Sequence, residues 1–88
     1  MKLRGEFLVR ELSDDIVAIP MGHTALALNG MILLNQVSKV IWECLEKGYD
    51  IPQMVTAVTE TFEVSPEEAQ ADIVEFVGKL RQANLLDE

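Results

Sequence analysis

The chain has 88 residues, 49% of them hydrophobic, and a formal net charge of −8. This length predicts one domain over residues 1–88 with one modest core, and no apolar run reaches the roughly 18 residues that a membrane span requires. Fifteen acidic side chains against seven scattered basic ones disfavour nucleic acid and anionic membranes as partners. The single cysteine, Cys44, excludes an internal disulfide and suits the reducing cytoplasm, where we expect the protein to lie.

The N-terminal part predicts a small antiparallel sheet of three to four strands. Residues 7–12 and 16–19 have strand-like composition and are separated by a turn cluster, Ser13-Asp14-Asp15. Residues 25–28 and 31–34 are apolar and flank Asn29-Gly30. Asn-Gly between two apolar runs is a strong hairpin signal, because both turn residues must adopt positive φ. We therefore expect a strand on each side of this turn.

From Asn35 onward the apolar period lengthens from 2 to 3.6 residues and predicts three amphipathic helices. Asn35, Asp50 and Ser65 are the expected N-caps, and Gly48 and Asn84 are the expected helix ends. The apolar stripe of the third helix is Ala69, Ile73, Phe76, Val77 and Leu80. A small sheet followed by three closely connected helices predicts an α+β fold of the winged helix-turn-helix type.

The residue types that carry chemistry form no recognisable site. His23 is the only histidine and lies in a predicted turn, whereas Cys44 falls on the apolar stripe of the first helix. The five glycines are dispersed and make no phosphate-binding loop. Trp42 fits the flank of the core better than an interface. We therefore expect a binding protein that is not an enzyme, has no cofactor and binds no metal.

The helical part combines several short motifs. Leu34-Asn35 precedes a helix with Ile41-Trp42, Gly48 follows in a short turn, Asp72 lies in the third helix, and Leu85-Leu86 comes near the end. This combination resembles the PqqD family, named after coenzyme PQQ synthesis protein D. Members of that family are peptide chaperones, or recognition elements, for ribosomally made peptides that are modified after translation.

The resemblance covers roughly residues 7–86 and implies a mode of binding. The leader of a precursor peptide would add as an extra strand to a sheet edge beside the last helix. The expected edge is residues 31–34, or residues 25–28 if the hairpin reverses the strand order. The chain has Asn84 instead of glycine before Leu-Leu, and it has an additional Asn29-Gly30 turn. In these two features it resembles stand-alone members that work beside peptide-modifying enzymes other than those of PQQ synthesis.

The resemblance also implies partners and site residues. The partners would be the leader peptide and a modifying enzyme, often a radical-SAM enzyme in this family; a homodimer through an open edge strand is a further expectation. Asp72, Glu75 and Lys79 would form the rim of the site and the apolar residues its interior. The expected peptide-binding residues are Leu28, Met31, Ile32, Leu33, Leu34, Asp72, Ile73, Glu75, Phe76, Lys79 and Leu80.

Two other functions remain open from the sequence. A winged-helix DNA-binding regulator has a compatible fold, but the start of the third helix, which would read the bases, carries Glu67, Glu68 and Asp72. A structural dimerisation module would pair the open edge strands of two copies. A gel shift at low salt tests the first function, and the oligomeric state in solution tests the second.

Overall fold

The computed structural model describes residues 1–28 and 30–88 and contains a small sheet followed by helices. The strands are β1 (Lys2–Leu3), β2 (Glu6–Leu12), β3 (Asp15–Met21), β4 (Ile32–Leu34) and β5 (Leu86–Asp87). The helices are α1 (His23–Ala27), α2 (Gln36–Glu46), α3 (Ile51–Thr61) and α4 (Pro66–Gln82). The predicted α+β class, with an antiparallel sheet ahead of three amphipathic helices, is confirmed; α2, α3 and α4 are those three helices.

Two antiparallel sheets organise the strands. β2, β3 and β4 form one sheet in that order, so β3 is central and β4 lies at an edge. β4 is paired over three residues only, from Ala18 opposite Ile32 to Ile16 opposite Leu34. β1 and β5 form a separate two-stranded sheet that joins the two ends of the chain.

The prediction of a hairpin around Asn29-Gly30 is wrong for the first of its two strands. Residues 23–27 form α1, and Leu28 is its C-cap; Asn29 itself lies outside the described residues. Alanine and leucine are strong helix formers, and the run from Ala25 to Leu28 has no polar alternation to favour a strand. β4 therefore pairs with β3 instead of with a preceding hairpin strand, and residues 25–28 provide no sheet edge.

The three long helices begin at the N-caps that the sequence predicts. The side chains of Asn35, Asp50 and Ser65 each accept a hydrogen bond from the backbone N–H three residues later. The left-handed residues Gly48 (φ 79°) and Asn84 (φ 61°) follow α2 and α4, as expected. Local sequence signals thus account for the helix bounds.

The hydrophobic core lies between one face of the three-stranded sheet and the helices. Trp42 is fully buried there, and Phe7 of β2 meets it edge to face with ring centroids 5.0 Å apart. Cys44 is buried too, and this burial raises the pKa of its thiol. Leu34 of β4 and Ile73 of α4 belong to the same core, which holds both elements in place.

Candidate functional site

An open, largely apolar groove of about 450 Å³ lies between β4 and α4. β4 and the preceding Leu28 form one wall, and the exposed side of α4 forms the other. The first half of α2 contributes residues at the base, where Ile41 is only 1% exposed. A surface depression of this volume, apolar inside and open at the top, is suited to apolar side chains of a bound partner.

Eight of the eleven residues expected to bind a peptide line this groove. They are Leu28, Ile32, Leu33, Asp72, Glu75, Phe76, Lys79 and Leu80. The other three lie elsewhere: Leu34 and Ile73 are core residues, 5% and 0% exposed, and Met31 is exposed just before β4. The structure thus brings the predicted strand and helix residues together, while their role in binding stays a prediction.

Six further groove residues were not predicted to bind a peptide, and they are Asn35, Val37, Ser38, Ile41, Ala83 and Leu85. Asn35 Oδ1 accepts the Ser38 N–H at 2.8 Å, and Ser38 Oγ accepts the Asn35 N–H at 2.7 Å. Both polar side chains are therefore engaged in capping α2. Val37 and Ile41 lie one turn apart on α2, and helical spacing alone does not reveal that this part of the helix adjoins a groove.

β4 presents an unpaired edge on the groove side. Within the described residues, β3 is its only strand neighbour, and no β3 residue lines the groove. Successive backbone N–H groups of a strand alternate in direction, so part of them point away from β3. Natural edge strands are usually protected by lysine, proline or a bulge, but Ile32, Leu33 and Leu34 are all apolar. Leu33 is also 68% exposed.

The charged rim of the groove comes entirely from α4. Glu75 and Lys79 form an ion pair one turn apart, with Oε1 and Nζ 3.4 Å from each other. Both side chains are 71% exposed, so the pair is screened by solvent and contributes little to stability. Asp72 takes part in no ion pair within the described part of the chain. Among the described residues, no basic side chain therefore pairs with the Asp72 carboxylate of the rim.

A second depression, of about 340 Å³, adjoins the groove beyond the end of α4. It shares Leu28, Ala83 and Leu85 with the groove and extends to Arg4 and His23. The groove and this depression therefore adjoin each other at the end of α4.

The side chains suited to metal binding or catalysis are dispersed. His23 is exposed on α1, whereas Cys44 is buried in α2. Among the described residues, no group of three or more His, Cys, Asp or Glu is placed to hold a metal ion. No helix among the described residues is both long enough and apolar enough to cross a membrane.

Comparison with known proteins identifies the family. The family model "Coenzyme PQQ synthesis protein D (PqqD)" matches residues 22–86, which include the whole groove of β4, α2 and α4. The chain belongs to the PqqD family. No curated protein matched the sequence. The PqqD match confirms the resemblance inferred from the motifs of the helical part.

A solved structure gives the same fold for this PqqD-family chain. It is described as "TbiB1 in Complex with the TbiA(beta) Leader Peptide" and is similar to the chain with a TM-score of 0.74 and 22% sequence identity. The similarity covers 99% of this chain and 95% of the other. At this level of identity the comparison establishes that the two share an architecture.

Proposed function

We propose that this PqqD-family chain binds the leader segment of a precursor peptide as an additional strand on β4, beside α4. The observation that carries the proposal is the uncharged, unpaired edge of β4 next to an apolar groove. A strand added there gains main-chain hydrogen bonds from β4, and its alternate side chains enter the groove. The shared fold with TbiB1, which was solved in complex with a leader peptide, supports this proposal.

The length of the groove sets the length of leader that it holds. From Asp72 to its end at Gln82, α4 rises by about 15 Å at ~1.5 Å per residue. An extended chain covers this distance with about five residues at ~3.3 Å each. Two or three of these side chains point into the groove, because successive side chains of a strand alternate between its faces. A short segment of the leader is therefore sufficient for recognition.

We further propose that residues 1–88 act as one non-catalytic unit that presents the bound leader to a modifying enzyme. In this family that enzyme is often a radical-SAM enzyme. The net charge of −8 favours an enzyme surface with basic residues around the contact. A cytoplasmic location fits this role, because Cys44 stays reduced there.

The two alternative functions draw less support from the structure. α4 has Glu67 and Glu68 in its first turn, where a recognition helix would meet phosphates and bases. Pairing of two copies through β4 would use the same edge as the leader, so a dimer of this kind and the leader complex exclude each other. Sedimentation with and without peptide distinguishes them, because leader binding would then dissociate the dimer.

The experiment is a selection of random peptides of about 12 residues, which exceed the groove on both sides, from a display library against the purified chain. A selected peptide is then titrated in while NMR follows hydrogen exchange. We expect slower exchange for amides of β4 and no change along the outer edge of β2, which is the matched control edge of the same sheet. Saturable binding without protection in β4 would contradict strand addition, and failure to select any peptide would contradict leader binding itself.

A further inference from the structure

Asp72 carries a charge that α4 does not neutralise. The positions three and four residues away along the helix hold Glu68, Ala69, Glu75 and Phe76, so no helical neighbour is basic and two are acidic. Side chains at this spacing are adjacent on a helix surface, and like charges there repel each other. A negative charge at position 72 is therefore unfavourable for α4 alone, and a cation from outside the helix would relieve the repulsion.

The chain's other elements do not supply that cation. Among the described residues, four of the seven basic side chains form ion pairs with acids other than Asp72. The remaining three are Lys2, Arg10 and Lys47, and none of them lines the groove. Glu75 provides the internal comparison, because its neighbour Lys79 lies 3.4 Å away on the same rim. One rim carboxylate is thus paired and the other has no base placed for it.

Phe76 lies one helical turn after Asp72 and also lines the groove, where it is half-buried. A carboxylate next to an aromatic ring matches the two parts of a long basic side chain. The aliphatic stem packs on the ring, while the cation reaches the carboxylate. Arginine fits better than lysine, because its planar guanidinium stacks on an aromatic face and donates two parallel hydrogen bonds to a carboxylate.

We infer that Asp72 and Phe76 together form a subsite for a basic side chain of the leader, with arginine preferred over lysine. The inference rests on the proposed function, since it concerns a peptide that lies extended in the groove. It names the class of leader: alternating apolar residues with one base at a fixed position. The apolar groove walls select for hydrophobic character, whereas the Asp72 carboxylate selects for the charge.

The spacing along α4 sets the pattern that a selected leader should show. Phe76 and Leu80 lie about 6 Å and about 12 Å beyond Asp72 along the helix axis. These distances correspond to about two and four residues of extended chain. Apolar residues should therefore follow or precede the basic residue at intervals of two residues, on the same face of the leader.

The test repeats the peptide selection with the wild-type chain, Asp72→Asn and Glu67→Gln, and compares the sequenced pools. We expect the wild-type pool to contain arginine, and less often lysine, at one position relative to the apolar residues. Asp72→Asn should keep the apolar pattern and lose most of the preference for a base. Glu67→Gln removes one charge from the same helix outside the groove and should keep both. Asp72 and Glu67 are both exposed, so neither substitution threatens folding.

Affinity measurements give the size of the effect. Replacing the selected arginine by glutamine should weaken binding to the wild-type chain about two- to fivefold at low salt. It should weaken binding to Asp72→Asn by a smaller factor, because only the contact with Phe76 remains there. The difference should shrink as salt rises, because ions screen an exposed pair. Phe76→Leu retains an apolar contact without the aromatic face, and should reduce the advantage of arginine over lysine.

The outcomes separate this inference from the proposed function. A wild-type pool with the apolar pattern and no fixed base would overturn the subsite and leave leader binding intact. A base preference that Asp72→Asn leaves undiminished would also overturn the subsite. If no peptide is selected at all, both the leader proposal and the subsite fail.

Discussion

Replacing Leu33 with alanine removes most of an apolar side chain from β4 at the groove. Leu33 is 68% exposed in the free chain, so about two thirds of its surface is available for a bound peptide to cover. Full burial of a leucine side chain contributes ~1.5–3 kcal/mol. The bound peptide therefore gains up to about 1–2 kcal/mol from Leu33, and Leu33→Ala should raise Kd by roughly 5- to 30-fold.

Stability should change much less than affinity. The part of Leu33 already buried in the free chain corresponds to about 0.5–1 kcal/mol of unfolding free energy, which urea titration can measure. Kd would be measured by fluorescence anisotropy with a labelled peptide from the display selection. Leu26→Ala is the matched control, because Leu26 is 85% exposed on α1 and does not line the groove.

Leu26→Ala should leave Kd unchanged. If folded Leu33→Ala binds within a factor of two of the wild-type chain, the β4 side of the groove does not contact the peptide and the assignment is refuted. An equal loss in both variants would likewise refute it, because it would indicate nonspecific hydrophobic binding.

Three further predictions concern the framework of the groove. Ile73→Ala should lower the free energy of unfolding by about 2–5 kcal/mol in urea titration, because Ile73 is 0% exposed in the core. Its neighbour Val74 is exposed, so Val74→Ala should lower that free energy by less than ~1 kcal/mol. Similar losses in the two variants would show that α4 is not packed as described. Asn84→Ala should destabilise the chain by about 1–2 kcal/mol in thermal unfolding, because alanine is strained at φ 61° and cannot accept the hydrogen bond that Asn84 Oδ1 accepts from Arg4 Nη1 at 2.9 Å. Asn84→Gly should recover the part of this loss that comes from backbone strain. An alanine variant as stable as the wild-type chain would contradict the prediction. Cys44 should react with a thiol reagent at pH 8 at least about tenfold more slowly in the folded chain than in urea. Burial shields the thiol from the reagent and also raises its pKa, so a smaller fraction is thiolate. Equal rates would mean that α2 opens readily.

The sequence by itself determined the features that depend on local interactions. The helix bounds follow from capping side chains that bond to backbone groups only three residues away, as at Asn35 and Asp50. The left-handed ends at Gly48 and Asn84 follow from residue types that tolerate positive φ. The motif combination of the helical part also indicated the PqqD family, because those motifs record the same helices and turns.

Tertiary structure alone decided which of these elements meet and which faces they leave open. β4 pairs with β3, which is distant in sequence, and not with the neighbouring residues 25–28, of which 25–27 belong to α1. Leu33 and Leu34 are adjacent and chemically identical, yet one adjoins the groove and the other is in the core, because successive strand side chains point to opposite faces. Ile73 and Phe76 share one apolar stripe of α4, and only the elements packed opposite determine that the first is covered and the second lines the groove. Local hydrogen bonds can be inferred from neighbouring residues, but an open groove exists only through the relative positions of elements far apart in the chain.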